Sequence, residues 1–176
     1  MRHFALSAVG RDRPGIVAAM SEVLLRHSAN IEDSQMSILR GHFAMMLVVA
    51  VPGDADAAVL RDELADAGRS LDLDAVALSP LEEVDPASEP EPSHVVTVYG
   101  IDHPGIVHAV TSALADRDVD ITDLTTRVVG EDAEPIYALM MEVAAPAGED
   151  VDALLASVAD DQNVDATVRP IDDEAL

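Results

Sequence analysis

The sequence predicts an α+β chain of two ferredoxin-like βαββαβ domains in tandem. Three observations carry that prediction: a duplicated motif, an acidic segment between the two copies, and the same order of strand and helix patterns in each. The motif is GRDRPGIV at residues 10–17, which returns as GIDHPGIV at residues 100–107. At this ninety-residue shift, Gly10, Asp12, Pro14, Gly15, Ile16 and Val17 recur at 100, 102, 104, 105, 106 and 107. Ala19, Leu24, Ile31 and Asp33 recur at 109, 114, 121 and 123. Farther on, Met45-Met46 matches Met140-Met141 at a shift of 95, which implies a five-residue insertion in the second copy. Two internal repeats of roughly 80 residues follow. Between them PLEEVDPASEPEP (80–92), rich in Pro and Glu, reads as an extended, self-repelling linker. The expected boundaries are 1–80 and 93–171 for the domains, 81–92 for the linker and 172–176 for an acidic tail.

The elements follow in the same order in each copy. FALSAV (4–9) and VVTVY (95–99) are strand patterns, with Leu6 and Ala8, or Val96 and Val98, on one side. Each is expected to stop at its glycine and lead into a helix opened by Pro-Gly. Pro14 and Pro104 suit the first helical position, where a missing N–H costs nothing. Asp12 and Asp102 are placed to accept the free N–H groups of the helix start. Ile16, Met20 and Leu24 form the apolar stripe of one helix, and Val107, Val110 and Leu114 that of its counterpart.

A hairpin comes next. IEDSQMSIL (31–39) and HFAMMLVVAV (42–51) join at Arg40-Gly41, and ITDLTTRVV (121–129) and IYALMMEVAA (136–145) join through GEDAEP, where the insertion lies. A second helix is expected over 54–68, with Val59, Leu60 and Leu64 inward, and over 149–161, with Val151, Leu154, Leu155 and Val158 inward. SLDLDAVAL (70–78) and VDATVRPI (164–171) close the repeats as strands. The order describes four antiparallel strands covered on one face by two helices. The uncovered faces can meet each other, the sheets can join by their edges, or a second chain can cover them. The sequence leaves the three open.

Charge narrows the function classes. Thirty-four Asp and Glu face ten Arg and no Lys, a formal net charge of −24, while 49% of residues are apolar. Phosphate binding rests on Lys and Arg, so a nucleic-acid surface is not expected, nor is an anionic membrane surface. The many Asp and absent Lys resemble proteins of salt-loving cells, where molar salt screens repulsion to about 3 Å. A GC-rich genome is the other source of such a composition. Without Cys there is no disulfide, thiol nucleophile or thiolate metal site. The apolar part of MRHFALSAVGRDRPG is too short for a signal peptide, and a cytoplasmic protein is expected.

The six histidines form no HxxxH, and the absent Lys excludes a phosphate loop of the Walker type. His103 beside Asp102 has no recurring nucleophile for a catalytic pair. No catalytic residue, metal or cofactor is expected. One methionine of each Met-Met pair is expected in the core and the other against a partner surface.

A strand ending in G-x-D-x-P-G-I-V, a helix, then A-N-I-x-D and a strand with F-x-M-M resembles an ACT domain. Both halves match, so the resemblance covers nearly the whole chain apart from linker and tail. The first copy carries it in Gly10, Asp12, Pro14, Gly15, Ile16, Val17, Asn30, Ile31, Asp33, Phe43, Met45 and Met46. A freestanding pair is similar to the glycine cleavage system transcriptional repressor family. The resemblance implies binding of an amino acid or related small metabolite and reporting of its occupancy to a regulator or enzyme.

The residues add a physical reason for the place. The turn before the first helix exposes N–H groups that a carboxylate can use, and Gly10 and Gly15 permit close backbone approach. Asn30, just ahead of the second strand and beside Ile31, is the residue that the resemblance implies completes the site; its amide donates to a carboxylate or accepts from an ammonium. The second copy offers Gly100, Asp102, Gly105, Asp120 and Ile121, with a carboxylate where the first has Asn30. Arg11 and Arg13 flank the first motif, where the second has Ile101 and His103. Residues 1–80 carry 11 acids against 7 Arg and residues 93–171 carry 15 against 3, so the first repeat suits an anion-bearing ligand better.

The expectation is a non-enzymatic, amino-acid-binding regulatory protein that senses a glycine- or serine-type ligand. It is expected to be a homodimer, with a regulator or enzyme as possible protein partner. A ligand-independent adaptor and the regulatory part of a metabolic enzyme are the alternatives.

Overall fold

The computed structural model describes residues 1–82, 90–129 and 135–171. Much of the expected linker, the acidic hairpin loop with the insertion, and the expected tail lie outside the described residues. The chain divides into two compact units, Met1–Asp85 and Pro86–Leu176.

The first unit runs β1 (Arg2–Arg11), α1 (Ile16–Arg26), β2 (Asn30–Leu39), β3 (His42–Val51), α2 (Ala57–Ser70), β4 (Leu73–Pro80). Its strands form one antiparallel sheet in the order β2-β3-β1-β4. The second unit repeats this as β5 (His94–Ile101), α3 (Ile106–Ala115), β6 (Asp120–Val129), β7 (Ile136–Ala144), α4 (Val151–Gln162), β8 (Asp165–Pro170), in the order β6-β7-β5-β8. Each unit is thus the α+β, ferredoxin-like arrangement expected.

Period-two alternation builds each core. Leu6 and Ala8 of β1 and Phe43, Met45, Leu47 and Val49 of β3 are buried against Ile16, Met20 and Leu24 of α1 and Leu60 and Leu64 of α2. In the second unit Val96, Val98, Leu139, Met141 and Val143 meet Ile106, Val110, Leu114 and Leu155. Each such large side chain contributes roughly 1.5–3 kcal/mol by leaving water. Two helix faces differ from expectation. Ile106 faces the core of the second unit, with Val107 only half-buried, and Val59 points outward at 44% exposed.

The methionine pairs correct the alignment of the repeats. Leu6 lies opposite Leu47, and its counterpart Val96 lies opposite Met141, a shift of 94 on the partner strand. Met45 is therefore buried at 4% while Met140 is 53% exposed, and Met46 is 53% exposed while Met141 is 1%. The Met-Met match is one residue out of register, and a slip of one flips every side chain to the other face. The inward-and-outward expectation holds in both pairs, but the insertion is four residues. It falls between Val129 and Ile136, where the first unit has only Arg40 and Gly41. Those two, at φ 49° and 80°, make the two-residue hairpin turn that needs positive φ twice.

Candidate ligand site

The two motif loops have the same build. β1 does not stop at Gly10 but continues to Arg11, and β5 continues to Ile101. Gly10 sits against the start of β4: a Cβ there would come within 2.8 Å of the Leu73 backbone, and one on Gly100 within 2.7 Å of Val164. The glycine therefore admits the neighbouring chain, a packing reason for glycine beside the expected close approach of a ligand.

The helix start also differs. Pro14 precedes the helix; Gly15 is the N-cap, at φ 98° and ψ −7°, and Gly105 holds the same place at φ 113°. Proline followed by a glycine at positive φ is the pairing a type II turn demands, so Pro-Gly shapes the entry instead of forming the first turn. Asp12 and Asp102 do not cap: no side chain accepts from the first turn of α1 or α3. Instead their backbone N–H groups donate to Gly41 O at 2.9 Å and Pro135 O at 3.0 Å, tying the loop to the neighbouring hairpin. The other two helices are capped. Asp56 accepts from Ala58 N at 2.9 Å and Val59 N at 3.4 Å, and Asp150 from Ala153 N at 3.0 Å. Arg11, Asp12, Pro14 and Gly15 are exposed, as are Asp102 and Gly105, so the side-chain-uncapped starts of α1 and α3 follow exposed loops.

The residue between Asp and Pro anchors each loop, a role the sequence reading missed. Arg13 Nη1 lies 3.4 Å from Asp72 Oδ2, just past the end of α2. His103 takes the same place in the second unit. Its Nε2 lies 2.9 Å from Gln162 O at the end of α4, and its Nδ1 lies 3.2 Å from Pro104 O. The bond to the Gln162 carbonyl, then that to Pro104, favours the doubly protonated ring and raises its pKa; nearby Asp102 adds to this. A basic side chain at a shared loop position, 59 residues before the helix end it meets, leaves no local signal in the sequence.

The structure separates the expected site residues into two groups. Gly10, Arg11, Asp12, Pro14 and Gly15 gather at one end of the first sheet. Asn30 and Ile31 lie at the other end, since Asn30 is opposite Ala50, which is opposite His3. The eight residue steps from His3 to Arg11 span roughly 27 Å of strand. Asn30 and Ile31 border a groove of about 520 Å³ with Ala18, Ser21 and Leu25 of α1 and Ala29 just past it. Gly100, Asp102 and Gly105 stand apart from Asp120 and Ile121 in the same way, because Asp120 is opposite Ala144 at the far end of β7. No group of three or more His, Cys, Asp or Glu suited to a metal occurs among the described residues. None of their helices is long and apolar enough to cross a membrane.

Two βαββαβ units, each with a Pro-Gly turn ahead of an uncapped helix, define a tandem ferredoxin-like protein. Comparison with known proteins agrees: the ACT domain family matches residues 2–77 and again 94–161. The chain belongs to the ACT domain family. It is 45% identical over 78 residues to UPF0237 protein MK1213 of Methanopyrus kandleri, spanning 43% of this chain and 86% of that one. It is 28% identical over 170 residues to the phosphoserine phosphatase SerB2 of Mycobacterium tuberculosis, which covers 93% of this chain but only 40% of that enzyme. Among solved structures, a protein from Galdieria sulphuraria aligns at a TM-score of 0.82 with 28% identity, covering 97% of this chain and 99% of that one. A putative glycine cleavage system transcriptional repressor aligns at 0.68 over 98% of each chain with 18% identity, which speaks to the fold alone. Two regulatory ACT domains take up most of the chain, and its general role is that of an ACT-type, ligand-sensing regulatory protein.

Proposed function

We propose that this chain is a cytoplasmic amino-acid sensor for a glycine- or serine-type ligand, acting on a regulator or an enzyme. The observation that carries the reading is the contrast among helix starts. In both units the helix after the Pro-Gly turn is left uncapped and exposed, while the other helix has its own Asp cap. Free N–H groups at a helix start favour a carboxylate, and Arg11, exposed at the end of β1 in the same motif, favours an anion further.

Asn30 lies too far from the loop of its own unit to touch the same small molecule. A second ACT unit resolves this. β2 is an edge strand exposed along its whole length, with Met36, Ile38 and Leu39 at 49%, 51% and 69% exposure, an edge that invites pairing. Antiparallel pairing along such an edge brings the Asn30 end of one unit to the motif-loop end of the other. The ligand then bridges two units, and its binding energy favours the paired arrangement over the unpaired one, which is how occupancy reaches a partner. Domains 1–80 and 93–171, with 81–92 as linker, are the proposed limits of the ACT units in this chain.

The test is thermal denaturation with each common amino acid in excess. A ligand present at about 100 times its dissociation constant stabilises by about 2.7 kcal/mol and raises the midpoint. A midpoint raised by one small amino acid supports the sensor; no rise with any of them removes it.

A further inference from the structure

The sheet of the second unit has a face turned away from α3 and α4, and its charges form a pattern. The register places Asp123, Glu142, Val95 and Arg169 side by side across β6, β7, β5 and β8. Four residues along the strands, Arg127 lies at the β6 margin and Asp165 at the β8 margin of the same face. All four corners are exposed: Asp123 and Arg127 on one edge, Asp165 and Arg169 on the other. Adjacent corners carry opposite signs around a square of roughly 14 Å by 14 Å. None of the four, nor Glu142, takes part in an ion pair among the described residues. Asp123 and Glu142, directly opposite each other, repel, and within the isolated sheet that repulsion is uncompensated.

Shape accompanies the charge. At the centre of the face Met140 stands out at 53% exposure opposite Thr97. Beside it lies a hollow of about 310 Å³ lined by Val95, Thr97, Thr167 and Arg169. The first unit carries Asp33, Ser37, Ala75 and Ser79 at the four corner positions, a single charge. The pattern therefore belongs to the second unit and not to the fold.

We propose that this face docks against the same face of a second copy of this chain, about a two-fold axis parallel to the strands. Such an axis lays β6 over the partner's β8. Asp123 then faces the partner's Arg169, Glu142 lies over the partner's Val95 one strand from that Arg169, Arg127 faces the partner's Asp165, and each contact is made twice. The same axis seats Met140 in the partner's hollow, where a flexible thioether adapts to an irregular space. A two-fold across the strands also matches the corner charges, but it sets Met140 against the partner's Met140 and leaves the hollow empty. Facing sheets lie about 10 Å apart with strands within about 30° of each other, within reach of Arg side chains. The charges chiefly fix partner and register. The docking is independent of any ligand and goes beyond the sensor reading.

The experiment is sedimentation equilibrium of the full chain in about 1 M potassium chloride, where exposed charges are screened and enclosed pairs are screened much less. The expected result is a monomer–dimer equilibrium. Met140→Arg, which overfills the hollow, and Arg127→Asp, which sets like charges face to face twice, each raise the dissociation constant by about tenfold or more. Arg127→Asp combined with Asp165→Arg restores association to within about threefold of the parent. That double exchange is complementary only about the axis parallel to the strands, and mere misfolding does not predict its recovery. Met46→Arg, at the matching place on the first unit, leaves association unchanged. Circular dichroism of each variant confirms its fold. A chain monomeric at every concentration overturns the proposal. So does association indifferent to Met140→Arg and Arg127→Asp, failure of the double exchange to restore it, or weakening by Met46→Arg as large as that by Met140→Arg.

Discussion

Gly10 and Gly15 sit five residues apart in one motif and are glycine for different reasons. Gly15 needs positive φ and has open space beyond its Cα, whereas Gly10 has no room for a side chain beside Leu73. Gly15→Ala is expected to cost about 1–2 kcal/mol of left-handed strain and Gly10→Ala about 1–3 kcal/mol of overpacking, both read from denaturant unfolding. His103 gives a residue-scale prediction in pH. Its folded pKa is raised above the ordinary 6.5, so its stabilising contribution is complete below 6.5 and is lost as pH rises through the higher folded value. The thermal midpoint of the parent is therefore expected to exceed that of His103→Ala at about pH 5, with the gap narrowing as pH rises above the ordinary histidine value. A gap that widens with pH would contradict the loop anchor. The motif was legible in the sequence because it occurs twice, but the reasons behind each residue were not. Whether a glycine serves a turn, a neighbour or a ligand depends on what stands beside it, and for Gly10 that is a strand more than sixty residues away.

Among elements, the helices divide by how they begin. Asp56→Ala removes a cap and is expected to cost about 1 kcal/mol, while Asp12→Ala removes none and is expected to stay within about 0.5 kcal/mol of the parent. Chemical denaturation of the two variants checks both values. Element order and type could be read along the chain because period-two strands and apolar helix stripes alternate cleanly. Register could not. The Met45-Met46 and Met140-Met141 match looked like shared ancestry of position, yet cross-strand pairing sets it one residue out, since Ser7 faces Met46 and Thr97 faces Met140. An identity of two residues says little about which face each occupies. The expected ligand-site residues could be named from the sequence, while their division between two ends of a sheet emerges only from the pairing of β1, β2 and β3.

At the scale of the whole molecule, the net charge of −24 acts on every compact arrangement. Self-repulsion destabilises a compact body, and molar salt shortens its range to about 3 Å. The thermal midpoint is expected to fall as potassium chloride is lowered well below molar; an unchanged midpoint contradicts the saline reading of the composition. The central claim, that two ACT units act together as an amino-acid sensor, is tested most directly by isothermal titration calorimetry. The common amino acids are titrated one by one into the parent and Asn30→Ala proteins in molar potassium chloride. The account predicts saturable heat with one small amino acid and its loss in Asn30→Ala, with the thermal midpoint of the unliganded protein unchanged. Silence across the whole panel with a folded parent, or full heat in Asn30→Ala, contradicts it.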